Sequence, residues 1–273
     1  RMASGAVRFT ILVVTVYAGT SYLVNASTIS GMPYASTSDP WKCLFARVDL
    51  VKKFFPNGDI PKATDEDLLS NPSKDQVIAK DNEKGISTAD VVAQAKDDRA
   101  LFYMGIGGCS DKVRTLTPGD AITGPLNGAS FVKWTNLHAD GTAQHHQKFS
   151  DTDFPVFRLA EIYLTRAEAK YRLNGSQDGL EDILKVQDRA NRQIKASSVD
   201  EQTLIDEWCR EFYMEGRRRS DLVRFGLFTG SKYLWSFKGG SENGQGIPAK
   251  CDIYPIPGDE IKNNPNMTQN PKY

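Results

Sequence analysis

The first 150 residues of the chain alternate short apolar segments with long polar ones. Residues 9–16 (FTILVVTV) are apolar and rich in β-branched side chains, so they predict a buried strand that is too short to cross a membrane. Apolar positions recur every three or four places in residues 41–55, which predicts an amphipathic helix. Residues 99–105 and 131–134 are further strand candidates. Stretches rich in Gly, Ser, Thr and Pro separate these elements and predict long loops.

Helical periodicity dominates the second half of the chain. Residues 156–173 and 180–194 each carry an apolar face, and the Asn-Gly pair between them is a common helix exit, so they predict an antiparallel hairpin. Residues 198–213 open on SVDE, which fits a capping box and predicts a third helix. Its apolar face resumes after Gly216. The whole pattern predicts a mainly α fold of helical hairpins with long loops and a few short strands.

Composition excludes several classes of protein. The 273 residues carry 34 Lys and Arg against 34 Asp and Glu, and this balance argues against a nucleic-acid-binding protein. Three histidines leave little room for a metal centre built on imidazole, so we expect no metal site and no cofactor. The absence of a C-x-x-C pair argues against a zinc ribbon or a redox motif, and it leaves open the disulfide state of Cys43, Cys109, Cys209 and Cys251.

The densest group of charges lies in residues 210–224 (REFYMEGRRRSDLVR). Its consecutive arginines could clamp a phosphate or a carboxylate. Each arginine also has an acidic residue within helical reach, which favours ion pairs that hold helices together over an anion site. The predicted structural ion-pair network consists of Arg210, Glu211, Glu215, Arg217, Arg218, Arg219, Asp221 and Arg224.

Aromatic residues in or beside polar loops are candidate ligand contacts. Aromatic faces suit sugar rings because the C–H faces of a sugar are apolar while its hydroxyls bond polar neighbours. The alternative is packing in the core, which is favoured for Trp208 and also for Trp41. The candidate ligand-binding residues are Tyr34, Trp41, Trp134 and Trp235.

The sequence contains no catalytic motif of a hydrolase elbow, a P-loop, a zinc protease or a dinucleotide-binding turn. Abundant carboxylates leave open a glycan-cleaving enzyme, since a glycosidase pair is defined by distance in space and not by spacing in sequence. We expect a binding protein with no catalytic residues.

Three segments, in the same order, resemble the SusD/RagB family of outer-membrane lipoproteins of Bacteroidetes. Residues 154–169 (FPVFRLAEIYLTRAEA) resemble the family's R-L-A-E-x-Y-L-x-R-A-E-A segment. Residues 211–228 (EFYMEGRRRSDLVRFGLF) are similar to its E-F-x-x-E-G-x-R-R-x-D-L-x-R-x-G-x-F segment. Residues 253–273 look like its closing Y-P-I-P-x-x-E-I-x-x-N-P-x-x-x-Q-N-P-x-Y. The first 150 residues fit only loosely.

The resemblance implies a mainly α, SusD/RagB-like fold built from tetratricopeptide-like helical hairpins. Residues 1–273 would be the C-terminal part of a single unit, with residues 1–153 loop-rich and residues 154–273 helical up to the closing motif. Family members are nearly twice as long, so we expect the N-terminal half of the fold, with its signal peptide and lipidated cysteine, to be absent from this chain.

The resemblance also implies a function. It implies a non-catalytic lipoprotein of the cell surface that captures an oligosaccharide or polysaccharide for import by a SusC-like TonB-dependent transporter. A peptide-binding uptake protein of the RagB type is the alternative. The membrane would be reached only through a lipid anchor absent from this chain. Ligand contacts in the family lie on variable loops, so no binding residue is carried over.

Overall fold

The computed structural model of the chain describes residues 46–60, 88–103, 129–131, 133, 155–175 and 177–273. The strand predicted for residues 9–16 lies outside them. In chain order, the described elements are α1 (Val48–Val51), a 3-10 helix (Lys52–Phe54), α2 (Thr88–Ala95), β1 (Phe102–Tyr103), β2 (Ser130–Phe131), α3 (Leu159–Asn174), a 3-10 helix (Gln177–Gly179), α4 (Leu180–Arg189), α5 (Glu201–Phe212), α6 (Arg218–Arg224), two 3-10 helices (Lys238–Gly240 and Ala249–Asp252) and α7 (Gly258–Asn263).

Helices outnumber strands, and β1 pairs with β2 in an antiparallel ladder that places Phe102 opposite Phe131. The prediction of a mainly α fold with a few short strands is confirmed. Within the described residues, no helix is both long enough and apolar enough to cross a membrane. The chain divides into two compact units, Arg1–Met214 and Glu215–Tyr273. The prediction that residues 1–273 belong to one longer unit stays a prediction.

Two glycines allow α3 and α4 of the first unit to pack against each other. Gly175 ends α3 in the left-handed region (φ 59°), where a side chain would be strained. Gly179 lies against α3 so closely that a Cβ there would come within 2.7 Å of the Ala167 carbonyl oxygen. The hairpin buries Leu164 and Ile183 completely.

The start of α5 differs from the predicted capping box. The N-cap is Asp200, whose carboxylate accepts a hydrogen bond from the Thr203 backbone N–H at 2.6 Å. Ser198 is not the cap, because the chain stays non-helical through Val199, which is buried and donates its N–H to Gln177 Oε1 at 2.7 Å. The helix therefore begins at Glu201.

An aromatic core fixes the far end of α5. The rings of Phe54, Phe102 and Tyr213 meet in pairs with centroids 5.3, 6.0 and 5.4 Å apart. Such contacts contribute about 0.5–1.5 kcal/mol each beyond the area they bury. The Tyr213 hydroxyl donates to the Arg99 carbonyl oxygen at 2.8 Å, and burial raises the pKa of Tyr213, so the hydroxyl keeps its proton. This core sets the position of α5 beside Arg99.

The second unit has little regular structure, and side-chain bonds to the backbone hold its tail. Gln269 bonds both the N–H and the C=O of Ile256, at 2.8 and 2.9 Å. The hydroxyl oxygen of Tyr273 lies 2.8 Å from the carbonyl oxygen of Ile253 and 3.0 Å from that of Lys250, so its one proton is donated to this pair of acceptors. These side chains satisfy backbone groups that neighbouring strands would satisfy in a sheet. The segment is rich in proline, which lacks the N–H that a strand donates.

Candidate functional site

Three of the four predicted ligand aromatics, Tyr34, Trp41 and Trp134, lie outside the described residues. Trp235 lies in the second unit, after α6, and is half-buried. The role of all four as ligand contacts stays a prediction. The structure does describe the surroundings of Trp235, and these decide what its ring can bind.

Trp235 belongs to an aromatic cluster made of Phe228, Tyr233 and Trp235. The ring centroids of Trp235 and Phe228 are 6.0 Å apart with an interplanar angle of 27°, and those of Trp235 and Tyr233 are 6.3 Å apart at 49°. Packing against two neighbouring rings fixes the orientation of the indole. A ligand that stacks on it would therefore lose little free energy in ordering the side chain.

The buried amine of Lys238 holds the loop that carries this cluster. Lys238 is 1% exposed, and its Nζ donates to the carbonyl oxygens of Tyr233 and Leu227 at 2.6 and 3.3 Å. The same atom lies 4.6 Å from the centroid of the Trp235 ring. Burial lowers the pKa of Lys238, and attraction by Asp252 opposes that effect only in part. The amine thus fixes both the loop and the indole.

Two arginines of α6 approach aromatic rings. Nη2 of Arg218 donates to the Tyr233 hydroxyl at 2.9 Å. The guanidinium carbon of Arg219 lies 3.9 Å from the ring centroid of Tyr254 and 4.7 Å from that of Phe228. Tyr254 is 69% exposed, and sequence reasoning missed it because it lies in the closing motif, which was interpreted as structural.

The second unit therefore presents aromatic rings beside guanidinium groups and backbone carbonyls. Rings supply apolar faces for the C–H groups of a sugar, and guanidinium N–H groups supply donors for its hydroxyls. This arrangement can bind a polar ligand with apolar faces.

Asp221 is the buried carboxylate of α6. It is 1% exposed, and its oxygens lie 3.3 Å from Nε of Arg217 and 2.7 Å from Nη2 of Arg224. Burial raises the pKa of Asp221, and the two arginines lower it by less, so the pKa lies above its ordinary value. Glu215, at the start of this unit, is also buried.

Glu207 is a buried, ion-paired carboxylate of the first unit. It is fully buried on α5, and its oxygens accept hydrogen bonds from Arg99 at 2.6 Å, Arg210 at 2.7 Å and Gln187 Nε2 at 2.7 Å. Burial alone would raise its pKa. The charges of Arg210 and Arg99, together with these hydrogen bonds, outweigh burial and lower the pKa of Glu207 to about 2.

Glu211, one turn further along α5, has three arginine partners. Arg99 and Arg189 approach its oxygens at 3.0 and 2.8 Å, and Arg158 forms a third ion pair. These charges outweigh burial and lower the pKa of Glu211. Asp97 completes the group, since Arg99 and Arg192 both bond it at 2.9 Å, and its pKa is lowered although burial opposes the change.

The eight residues predicted as one ion-pair network divide between the two units. Arg210 and Glu211 lie in the first unit, and the other six lie in the second. The described partners of Glu211 come from residues 99, 158 and 189, which no helical spacing relates to it. Among the arginines of α6, Arg219 bonds the carbonyl oxygen of Cys251 at 2.7 Å. That the eight residues serve a structural role stays a prediction.

Cys209, which is buried, and Cys251 form no disulfide in the described part of the chain. Cys43 and Cys109 lie outside the described residues. Within the part of the chain that the structure describes, no cluster of three or more His, Cys, Asp or Glu side chains is arranged to hold a metal ion.

Comparison with known proteins relates the chain to one family. The model of the SusD family matches residues 19–273. The chain is 49% identical, over 261 residues, to the starch-binding protein SusD of Bacteroides thetaiotaomicron, a match that covers 94% of this chain and 46% of that protein. It is 30% identical over 151 residues to the SusD-like protein P25 of Formosa agariphila, covering 53% of this chain and 28% of that one.

One similar solved structure is that of a SusD superfamily protein from Parabacteroides distasonis. The alignment covers 98% of this chain and 49% of the chain of that protein, at 16% identity and a TM-score of 0.49. The matched regions span less than half the length of each of the two related proteins.

Proposed function

This chain belongs to the SusD family, and from that premise we propose that it is part of a non-catalytic protein that binds a glycan at the bacterial cell surface. The observation that carries the proposal is the 49% identity, over 94% of the chain, to a protein named as starch-binding. An α-glucan of the starch type is therefore the first ligand to test.

The chemistry of the aromatic cluster also supports the proposal. Trp235 is half-buried and oriented by Phe228, and Arg218 lies within hydrogen-bonding distance of the neighbouring Tyr233 hydroxyl. A ring fixed in this way suits stacking on a sugar, and the guanidinium groups nearby suit its hydroxyls. We propose Trp235 as one contact, together with Tyr34, Trp41 and Trp134.

Calorimetric titration of the chain with maltoheptaose, with cellohexaose as a second probe, tests the proposal. We expect saturable binding of the α-glucan and no release of reducing ends on prolonged incubation with starch. Saturable binding of peptides, with none of any oligosaccharide in a broad panel, would replace the glycan proposal by a peptide-binding one. Steady release of reducing ends would show that the protein is an enzyme.

Substitution tests the contribution of Trp235. We expect Trp235→Ala to weaken glycan binding at least about tenfold, since a buried aromatic contact is worth roughly 2 kcal/mol when it dominates a site. Trp235→Phe keeps a ring and should lose less. Phe157→Ala removes an aromatic side chain that is 76% exposed in the first unit, and it serves as the matched control. Unchanged affinity of a folded Trp235→Ala variant would exclude Trp235.

The proposal extends to location and partner. We propose that the full-length protein is lipid-anchored at the outer face of the outer membrane and delivers glycan to a SusC-like TonB-dependent transporter. Co-purification of the full-length protein with such a transporter from solubilised outer membranes tests both points. Recovery in the soluble periplasmic fraction would contradict the location.

A further inference from the structure

The first unit contains a cleft of about 260 Å³ whose described lining does not include Trp235. It is lined by Pro56, by Gln187 of α4, by the loop that follows α4 and by one face of α5 from Gln202 to Arg210. No aromatic side chain is among its described lining residues, so the cleft offers a sugar no ring on which to stack. Its lining is mostly polar, with hydroxyls from Ser197, Ser198 and Thr203.

The walls of the cleft carry more positive than negative charge. Arg192, Lys195 and Arg210 line it, against a single carboxylate, that of Asp206. Asp206 already forms an ion pair with Lys53. Lys195 likewise forms an ion pair with Asp188. The two arginines of the cleft bond Asp97 and Glu207, and each of them shares its carboxylate with Arg99.

Arg192 is the least satisfied of these cations. It is 4% exposed, and Nη1 donates to Asp97 Oδ2 at 2.9 Å. Asp97 also accepts two side-chain hydrogen bonds from Arg99, both at 2.9 Å, so Arg192 has only a share of one carboxylate. Nε of Arg192 is buried and has no hydrogen-bond partner within the described structure. A buried donor without a partner is costly.

Arg210, like Arg192, shares its carboxylate partner with another arginine. It shares Glu207 with Arg99, and its Nη1 donates to a neutral group, the Lys53 carbonyl oxygen, at 3.2 Å. Burial and repulsion by Arg210 lower the pKa of Arg192, and the attraction of Asp97 and Glu207 compensates only in part. Like charges repel more strongly where water is excluded, so an anion between them would be stabilised.

We propose that this cleft binds a small oxyanion, held by Arg192 and Arg210 with hydroxyl donors from Ser197 and Ser198. A guanidinium binds phosphate, sulfate or a carboxylate through paired N–H groups. The source of the oxyanion is a free inorganic ion or the acidic group of a uronic or sulfated sugar.

Titration of the chain with inorganic phosphate at constant ionic strength tests the proposal, by calorimetry and by the thermal unfolding midpoint. We expect saturable binding and a midpoint that rises with phosphate concentration. Absence of saturation with both phosphate and sulfate, and with glucuronate, would overturn the proposal. Binding of glucuronate but not of glucose, with phosphate inactive, would identify the acidic sugar as the source.

Two variants localise the binding. Ser197→Glu places a carboxylate at the cleft from an exposed position and leaves the buried ion pairs intact, so we expect phosphate affinity to fall about tenfold or more. Arg192→Lys keeps a charge beside Asp97 but loses the planar pair of donors, and it should weaken binding similarly. Ser231→Glu, an exposed serine of the second unit, is the matched control. An equal loss in Ser197→Glu and Ser231→Glu would place the anion elsewhere and overturn the proposal.

Discussion

In each of the two units the pKa of a buried carboxylate is shifted, and the two shifts have opposite directions. Glu207 of the first unit and Asp221 of the second are both almost completely buried, and each contacts two arginines. The pKa of Glu207 is lowered to about 2, whereas that of Asp221 is raised. Neither the exposed fraction of the carboxylate nor the number of its arginine partners therefore explains the opposite shifts.

The difference lies in the partners of the two carboxylates. Glu207 accepts an additional hydrogen bond from Gln187 Nε2 at 2.7 Å, and its arginines are less exposed. The side chains of Arg99 and Arg210, which bond Glu207, are 8% and 9% exposed, and both contacts are shorter than 2.8 Å. Those of Arg217 and Arg224, which bond Asp221, are 24% and 37% exposed, and one contact is 3.3 Å long. Water screens the charge of an exposed arginine, so it compensates less of the cost of burying its partner.

The largest expected effect comes from removing the charge of Glu207, which pairs with Arg99 and Arg210. Glu207→Gln keeps the shape of the side chain but leaves Arg99 and Arg210 short of a buried counter-charge, and we expect it to lower the free energy of unfolding by about 3–5 kcal/mol. Denaturant titration measures this. The control is Glu181→Gln, which removes an exposed, solvent-screened ion pair with Lys185 and should lower the free energy of unfolding far less. Equal effects of the two changes would contradict our account of the network.

The next largest effect should be a difference in acid sensitivity between the two units. Because the folded pKa of Glu207 lies below its unfolded value, its ionisation stabilises the fold above the unfolded pKa, near 4.5. That stability is lost as the pH falls toward 2, and it amounts to about 3 kcal/mol. Asp97 and Glu211 act in the same direction. Asp221 has the opposite sign: its protonated form is favoured by folding, so its contribution is present at low pH and is lost as the pH rises through its folded pKa.

Hydrogen exchange at pH 3 and pH 6, resolved by segment, checks this expectation. Protection of α5 should fall at pH 3 far more than protection of α6. In Glu207→Gln the acid sensitivity of α5 should be reduced. Equal loss of protection in α5 and α6 would contradict the assignment.

The smallest effect should come from Asp221→Asn. The amide keeps an acceptor for Arg217 and Arg224, which are partly hydrated, and burying a neutral group removes a desolvation cost. We therefore expect a change in the free energy of unfolding within about 1 kcal/mol, measured by the same titration. A loss as large as that of Glu207→Gln would show that the two carboxylates are equivalent.

Helix positions were predictable to within a few residues, and their ends were less so. The apolar periodicity of residues 156–173 corresponds to α3, which begins at Leu159 because Arg158 is extended (φ −144°, ψ 156°). Residues 180–194 correspond to α4, which ends at Arg189 because Asn191 adopts φ 49°. Local pattern determines that a helix forms, but competing hydrogen bonds determine where it stops.

The candidate site was predictable only as a type of residue. Trp235 was found from its place beside a polar loop, but no sequence rule relates it to the buried amine of Lys238 or to the Phe228 ring. Tyr254 was missed because it lies in the closing motif, which was interpreted as structural, and its contact with Arg219 joins residues 35 positions apart. Aromatic contacts between distant residues depend on how loops pack, which local spacing does not encode.

The sequence by itself determined the helical periodicity, the turn at Asn174-Gly175 and the three segments that resemble the family, because these depend on residues a few positions apart. Only the tertiary structure decided the partners of the buried charges. Glu207 lies 108 residues from Arg99, and Asp97 lies 95 residues from Arg192. Whether a carboxylate stabilises the fold depends on how fully water is excluded from its partner, and that is set by packing.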